Sequence, residues 1–262
     1  MARVIAIADQ KGGVGKTTTA INLSASLAAN EFSVLLIDMD PQGNSTTGLG
    51  ISKQQDLRTV YEVLSGRASL NEVLVTVQPD GISVAPADKN LVAANIELVP
   101  TDHREYHLRN ALAEIRDQFD FILIDCPPAL DLLTVNSLVA ADSVLIPIQC
   151  EFFALEGISQ LIDTIDRLRE SLQPSLSIEG ILLTMFDDRT NLTRQVATDL
   201  KDFFEGEVFQ TVIPRSIRLA EAPSFGKSIL SYDPRSKGAE SYIQLAKEIV
   251  ANGQRRQSQS AG

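Results

Sequence analysis

Apolar segments alternate with amphipathic segments along most of the chain. Seven short runs rich in aliphatic and β-branched residues predict buried strands at residues 4–8, 34–37, 82–85, 121–124, 143–148, 181–184 and 208–212. Helical periodicity predicts helices at residues 17–30, 104–116, 155–172, 192–204 and 240–251. This alternation predicts an α/β fold, with a mostly parallel, twisted β-sheet flanked by helices. Residues 1–252 are expected to form one domain, and the small, polar residues 253–262 a disordered tail.

The sequence KGGVGKTT follows the first predicted strand and begins the first predicted helix. Its glycines allow a tight turn that brings backbone N–H groups to anionic oxygens, and the helix N-terminus adds partial positive charge. Gly15-Lys16-Thr17 fits the second half of the phosphate-loop pattern GxxxxGK[ST], but Gln10 stands where the first glycine belongs. We predict a phosphate loop rather than a simple glycine turn, with Lys16 on the β- and γ-phosphates. The predicted nucleotide-binding residues of this loop are Lys11, Gly12, Gly13, Val14, Gly15, Lys16, Thr17 and Thr18.

Carboxylates follow two of the predicted strands. Asp38 and Asp40 come after the second strand, and Asp125 comes after the fourth. In parallel sheets, ligands bind beyond the carboxyl ends of the strands. A lone aspartate there is more often a helix cap or a turn residue, but two such segments beside a phosphate loop favour a site for Mg²⁺, which prefers oxygen ligands. We predict that Thr17 and Asp125 hold this ion.

Composition limits the function in three ways. A net charge of −11 excludes a globally basic nucleic-acid binder but allows a local basic patch, and residues 209–238 carry five basic and two acidic residues. No apolar run reaches membrane-spanning length, and the charged loop after residue 8 argues against a signal peptide. The two cysteines form no CxxC pair, which indicates buried, reduced thiols in a cytoplasmic protein.

Motifs over residues 2–251 resemble those of one ATPase family. KGGVGKTT resembles the deviant Walker A loop of the ParA/MinD group, and the other motifs are similar to chromosomal ParA proteins of the Soj type. These motifs are DPQGN, IDCPP, QCEFFALEG, TMFDDRTN, TVIPR, RLAEAPSFGK and YDPRSKGAE. The resemblance implies a P-loop NTPase fold and a Mg²⁺-dependent ATP hydrolase. It also implies that ATP drives a sandwich homodimer, which binds nucleoid DNA without sequence preference until a ParB-type partner stimulates hydrolysis.

The resemblance also assigns roles to individual residues. Lys11 would reach the phosphates of the partner subunit, and Asp40 would orient the attacking water, so Lys11, Lys16 and Asp40 are the predicted catalytic residues. Asp38, Asp40 and Asp125 would form the nucleotide-sensing switch, and Arg189 and Arg218 would contact double-stranded DNA. Met185, Pro214 and Arg215 would surround the base, with ordinary packing as the alternative. The sequence departs from the family at Asp9, where asparagine is usual.

Three other functions are compatible with the same fold. A MinD-like, membrane-associated positioning ATPase would need an amphipathic C-terminal helix, but ANGQRRQSQSAG has no bulky apolar residue. An amidoligase or dethiobiotin synthetase would need a substrate pocket that the sequence does not identify. An iron–sulphur carrier would need cluster ligands, and Cys126 and Cys150 lack their usual spacing, although a cluster bridging two subunits has no such requirement.

Overall fold

Seven strands form one sheet in the computed structural model, which describes residues 1–52, 57–151 and 154–260, with backbone alone for 256–260. The strands are β1 (Arg3–Ile7), β2 (Val34–Asp38), β3 (Val75–Val77), β4 (Ile82–Ala85), β5 (Phe121–Asp125), β6 (Ser143–Gln149) and β7 (Ser177–Thr184). Their order is β3-β4-β2-β5-β1-β6-β7, and every pair is parallel except β3 with β4. The predicted mostly parallel sheet is therefore confirmed.

Helices cover both faces of this sheet. They are α1 (Lys16–Ala28), α2 (Asn44–Gly48), α3 (Val60–Leu64), α4 (Leu70–Val73), α5 (Leu91–Glu97), α6 (His107–Ala113), α7 (Leu132–Ala140), α8 (Ala154–Ser171), α9 (Asn191–Phe203), α10 (Ile217–Glu221), α11 (Ile229–Tyr232) and α12 (Lys237–Ser260). Short 3₁₀ helices lie at Arg104–Tyr106, Arg116–Gln118 and Ala222–Phe225.

The core has two layers because both faces of the sheet are covered. Along β1, Val4 and Ala6 pack into the layer shared with α3 to α9, and Ile5 and Ile7 pack into the layer shared with α1 and α12. Strands β2 and β5 are buried at every position. Burial on both faces explains why these strands appear in the sequence as continuous apolar runs.

The predicted strand at residues 208–212 is wrong. Only Val208 forms a bridge, with Ile181 of β7, and the next bridge comes at Pro214 with Phe186. Between them the Glu248 carboxylate accepts the backbone N–H groups of Gln210 and Thr211, at 2.7 and 3.0 Å. A side chain of α12 thus takes the hydrogen bonds that a strand partner would supply.

The strand β3 and the helical segment before β5 also differ from the sequence prediction. The three-residue edge strand β3 was not predicted, because a run that short has no clear periodicity. The predicted helix at residues 104–116 is divided into a 3₁₀ turn, α6 and a second 3₁₀ turn. Asn136 of α7 fixes the first turn, since its side chain donates to the Arg104 carbonyl and accepts from the Leu108 N–H.

The C-terminal helix is longer than predicted. α12 continues to Ser260 through most of the segment that we expected to be a disordered tail. Gln and Arg are good helix formers and no proline interrupts residues 253–260, so the i to i−4 hydrogen bonds continue. The single-domain boundary at residue 252 stays a prediction, and residues 152 and 153 of the QCEFFALEG motif lie outside the described residues.

Candidate nucleotide-binding site

The KGGVGKTT loop joins the end of β1 to the first turn of α1. Gly13 and Gly15 have positive φ angles of 78° and 95°, which glycine adopts without strain. Gly15 is the N-cap of α1 and makes no side-chain cap, so the first-turn N–H groups are left to a ligand. Lys16 Nζ donates to the Lys11 carbonyl at 2.9 Å, and Thr184 Oγ1 donates to the Val14 carbonyl at 2.7 Å. These two hydrogen bonds fix the conformation of the loop.

Two predicted switch carboxylates lie side by side at the carboxyl edge of the sheet. Asp38 on β2 and Asp125 on β5 are partners in the strand register, and both are fully buried. Asp38 Oδ2 accepts the N–H and the hydroxyl of Thr46, at 2.8 and 2.7 Å. Ser45 Oγ donates to Asp125 Oδ2 at 2.7 Å. The first turn of α2 therefore holds both carboxylates.

Burial changes the acidity of these charges. It is the main cause that raises the pKa of Asp38 to about 6 and the pKa of Asp125 to about 7. The Asp40 charge contributes to both shifts and the Asp38 charge to that of Asp125, whereas the hydrogen bonds that the two carboxylates accept oppose them. Burial lowers the pKa of Lys16, and the nearby Asp9 and Asp125 oppose that shift. The site therefore gathers negative charge that a cation can balance.

The donor set fits a hard divalent cation. Asp125 Oδ1 is buried with no hydrogen-bond partner among the described residues, and the Thr17 hydroxyl lies close enough to lower the pKa of Asp125 by hydrogen bonding. The described residues hold no group of three His, Cys, Asp or Glu side chains suited to a metal ion. One carboxylate and one hydroxyl agree with Mg²⁺, which keeps several waters and takes oxygens from the nucleotide phosphates.

Two cavities meet at the loop. One, of about 370 Å³, is lined by Gly12, Lys16, Thr17, Asp40 and Pro128, among others. The second, of about 360 Å³, brings Met185, Pro214 and Arg215 together with Thr18, and both cavities share Gly13, Gly15 and Thr18. The structure thus joins the predicted base-binding residues to the phosphate loop in one cleft. Met185 has a positive φ of 49°, which is uncommon for a residue other than glycine.

Lys11 points away from its own phosphate cradle. Its half-exposed ammonium group forms an ion pair with the Glu151 carboxylate, just after β6. The Lys11 N–H donates to Asp9 Oδ1 at 2.7 Å. The unusual Asp9 therefore binds the loop backbone and not the Lys11 ammonium, and its own burial raises its pKa. The action of Lys11 on a partner subunit stays a prediction.

Arg189 and Arg218 lie on the surface, outside the cleft. Arg189 donates two side-chain hydrogen bonds to Asp187, at 2.7 and 2.6 Å, and holds the pKa of that carboxyl at about 2. Arg218 forms ion pairs with Glu221 at 3.1 Å and Asp233 at 3.6 Å. Arg218 belongs to α10, and neighbouring residues of α10 line the second cavity. Contact of either arginine with DNA stays a prediction.

The sequence did not identify several residues that hold this site. Ser45 and Thr46 bind the two carboxylates, Thr184 closes the loop, and Glu151 pairs with Lys11. Ser45 and Thr46 directly follow the DPQGN motif, and this position in the sequence could have indicated that they belong to the site. Glu151 and Thr184 lie in the QCEFFALEG and TMFDDRTN motifs, but nothing in the sequence indicated that they contact the phosphate loop.

Both cysteines are structural. Cys126 is 1% exposed and Cys150 is 7% exposed, and burial raises the pKa of their thiols to about 12 and about 11. A cluster bridging two subunits needs thiolates at the surface. The burial of both side chains argues against the iron–sulphur alternative.

Comparisons with known proteins agree with this geometry. A family model described as an AAA domain matches residues 2–178. The chain is 53% identical over 253 residues to the sporulation initiation inhibitor protein Soj of Bacillus subtilis, covering 97% of the chain and 100% of that relative. It is 52% identical over 261 residues to the chromosome partitioning protein ParA of Caulobacter vibrioides, covering 99% of the chain and 98% of that protein.

A solved structure shares the fold over nearly its whole length. It is the cobyrinic acid a,c-diamide synthase from Mycobacterium smegmatis with bound ADP and magnesium, which is 38% identical. The TM-score is 0.83, and the match covers 94% of this chain and 93% of that one. The deviant phosphate loop, the paired strand-end carboxylates and the full-length relatives lead to one conclusion: the chain belongs to the ParA/Soj family of P-loop ATPases.

Proposed function

We propose that this protein is a chromosome- or plasmid-segregation ATPase that binds ATP with Mg²⁺ and hydrolyses it to ADP and phosphate. The observation that carries the proposal is the single cleft at the phosphate loop, where Lys16, Thr17 and Asp40 line one cavity. Full-length relatives about 50% identical are named as chromosome-partitioning proteins, and a structural relative was solved with ADP and magnesium.

The residues of the cleft divide the chemistry among them. Phosphoryl transfer depends mainly on positioning and on charge neutralisation. Lys16 and the α1 N-terminus would neutralise the phosphates, and Thr17 and Asp125 would hold Mg²⁺, which would supply further positive charge. Asp40, which is buried and lines the same cavity, would orient the attacking water. In a homodimer, Lys11 would leave Glu151 and add its charge to the partner subunit's nucleotide.

DNA binding would depend on this dimer. Arg189 and Arg218 are exposed, and a homodimer would present two copies of each on one assembly. Their contacts with phosphates carry no sequence information, so binding would be non-specific and sensitive to salt. A ParB-type partner would then stimulate hydrolysis and release the dimer from DNA. Such a protein works in the cytoplasm, on the nucleoid.

The test is ATP-dependent binding of the full chain to a duplex of arbitrary sequence. We expect binding with ATP and Mg²⁺, loss of binding with ADP, and further loss on adding a ParB-type peptide. Arg218→Glu should abolish DNA binding and leave ATP-dependent dimerisation intact. Normal DNA binding by that variant would remove Arg218 from the DNA-binding surface, and equal binding with ADP would refute the proposed cycle.

The two rival activities have less support. A membrane-associated ATPase needs a free amphipathic helix, but Tyr242, Leu245 and Ile249 of α12 are buried in the core. No described helix has the length and apolar character needed to cross a membrane. The structural relative at 38% identity is named as a diamide synthase, whereas relatives above 50% identity are named for chromosome partitioning. An assay for glutamine-dependent amidation would distinguish a diamide synthase from a segregation ATPase.

A further inference from the structure

Two neighbouring hydroxyl side chains of α2 bind the two buried carboxylates at the edge of the sheet. Thr46 Oγ1 donates to Asp38 Oδ2, and Ser45 Oγ donates to Asp125 Oδ2, both at 2.7 Å. All four side chains are buried. The Thr46 hydroxyl also accepts the Ala87 N–H at 2.9 Å, whereas the Ser45 hydroxyl makes no second hydrogen bond within the described part of the chain. Its one contact is therefore with Asp125.

The two oxygens of the Asp125 carboxylate have different surroundings. Oδ2 accepts from Ser45, whereas Oδ1 is buried and has no hydrogen-bond partner among the described residues. A buried carboxylate oxygen without a partner is costly, and in folded proteins it usually belongs to a functional or ion-binding group. The Thr17 hydroxyl, the other predicted Mg²⁺ ligand, lies close to the same carboxylate. Oδ1 is thus the oxygen that is left for a cation.

The orientation of this carboxylate needs a fixed donor. The terminal torsion of an aspartate side chain has a broad preference, so the carboxylate can rotate and exchange its two oxygens. Asp38 lies beside Asp125 in the strand register, and the two carboxylates repel each other when both are charged. A hydrogen bond from Ser45 to Oδ2 opposes rotation and stabilises the charged carboxylate. It thereby determines which oxygen stays available to an ion.

The backbone on both sides of Ser45 is itself anchored. Gly43, the N-cap of α2, has a φ of 61°, and its N–H donates to the Asp40 carbonyl at 2.8 Å. On the other side, the Thr46 N–H donates to Asp38 Oδ2 at 2.8 Å. The hydroxyl is therefore held at a fixed position beside the carboxylate, which is what a group that orients a metal ligand requires.

We propose that Ser45 is a positioning residue for the cation of this site. Its hydroxyl holds Oδ2 of Asp125, so that Oδ1 stays available to Mg²⁺ together with the Thr17 hydroxyl. The hydrogen-bond partners of metal ligands tune the affinity for the metal, and their loss commonly lowers it about 10- to 100-fold. The inference rests on the proposed function, because it takes the cleft to bind ATP with Mg²⁺.

The experiment measures the affinity of the site for an ion directly. Mn²⁺, used as the probe for Mg²⁺, is titrated into the full chain carrying a non-hydrolysable ATP analogue, and electron paramagnetic resonance gives the free ion. We expect the Mn²⁺ dissociation constant to rise about tenfold in Ser45→Ala. The affinity for the analogue in EDTA should stay at the wild-type value, because Ser45 acts on the ion and not on the phosphates. A merely structural defect would weaken both.

Three further variants complete the design. Ser24→Ala is the matched control, since it removes another buried hydroxyl, which donates to the Ala20 carbonyl at 2.7 Å within α1, and it should bind Mn²⁺ as wild type does. Ser45→Cys keeps the volume but offers only a weak donor, so it should weaken Mn²⁺ binding and replaces Ser45→Ala should that variant fail to fold. In an Asp125→Asn background, Ser45→Ala should have little further effect.

Three outcomes would overturn the role of Ser45. They are an unchanged Mn²⁺ dissociation constant in Ser45→Ala, an equal loss of Mn²⁺ affinity in Ser24→Ala, and additive effects of Ser45→Ala and Asp125→Asn. Additivity would mean that the hydroxyl does not act through Asp125. Failure of the proposed function gives a different result: the wild-type chain itself would then bind no ATP analogue, whether Mn²⁺ is present or absent.

Discussion

The carboxyl edge of the sheet buries its charged side chains, whereas the surface that carries Arg189 and Arg218 exposes them. At the edge, Asp38 and Asp125 are fully buried and fixed by hydrogen bonds from α2. On the surface, Arg189 and Arg218 are exposed and pair with carboxylates within a few residues or on a neighbouring turn. Burying a charge is expensive unless its partners are fixed, whereas an exposed ion pair exchanges its partner at little cost.

This difference suits two kinds of ligand. A buried, prearranged edge can place a phosphate and a metal within fractions of an ångström, which phosphoryl transfer requires. An exposed arginine can leave its carboxylate for a DNA phosphate at any sequence, which non-specific binding requires. Each of the following changes tests one side of this comparison, in order of decreasing expected effect.

Asp40→Ala should remove the positioning of water and keep nucleotide binding. We expect ATP turnover to fall about 10²- to 10³-fold, because a positioned catalytic group of this kind contributes about that much. Steady-state phosphate release measures turnover, and binding of a fluorescent ATP analogue serves as the control. Unchanged phosphate release would exclude Asp40 from the reaction.

Arg189→Ala should weaken DNA binding without affecting the edge of the sheet. The slope of log affinity against log salt concentration should fall in magnitude by about one for each DNA phosphate that the variant no longer binds. A salt titration of the ATP-bound chain on duplex DNA measures this slope. Arg194→Ala, on the exposed side of α9, is the matched control. An identical slope for wild type and Arg189→Ala would contradict the assignment.

Asp9→Asn should tighten ATP binding by up to about fivefold, since it removes a negative charge near the phosphates. An asparagine oxygen can still accept the Lys11 N–H that Asp9 Oδ1 accepts at 2.7 Å, so the loop should keep its shape. Isothermal titration calorimetry of both chains gives the comparison. An identical ATP dissociation constant would show that Asp9 only shapes the loop.

Asp38→Asn should change how stability depends on pH in the nucleotide-free protein. Burial raises the pKa of Asp38 from its ordinary 3.8 to about 6, so its stabilising contribution is complete below pH 3.8 and is lost as pH rises through about 6. The Tm of wild type minus that of Asp38→Asn should therefore fall between about pH 4 and pH 7, by on the order of 5 °C. Thermal melts across this range measure the difference, and a constant difference would contradict the raised pKa.

Sequence patterns predicted the parts of the site that are local in the chain. The phosphate loop leads directly into its helix, and each aspartate stands at or directly after the end of its strand. Parallel strands then bring these ends to one edge of the sheet. The patterns failed where residues far away in the chain determine the conformation of the backbone. Glu248 of α12 takes the N–H groups of residues 210 and 211, so an apolar run with strand-like composition is not a strand.

The fold class, the phosphate loop and the family can be read from the sequence, because they depend on periodicity and on motifs of contiguous residues. The folded chain alone shows which side chains bind the switch carboxylates, that Lys11 pairs with Glu151, and that Val92 and Ile96 of α5 are exposed. The reason is physical: burial, ion pairing and exposure are set by residues that are far apart in the chain and meet only when the sheet and its helices pack.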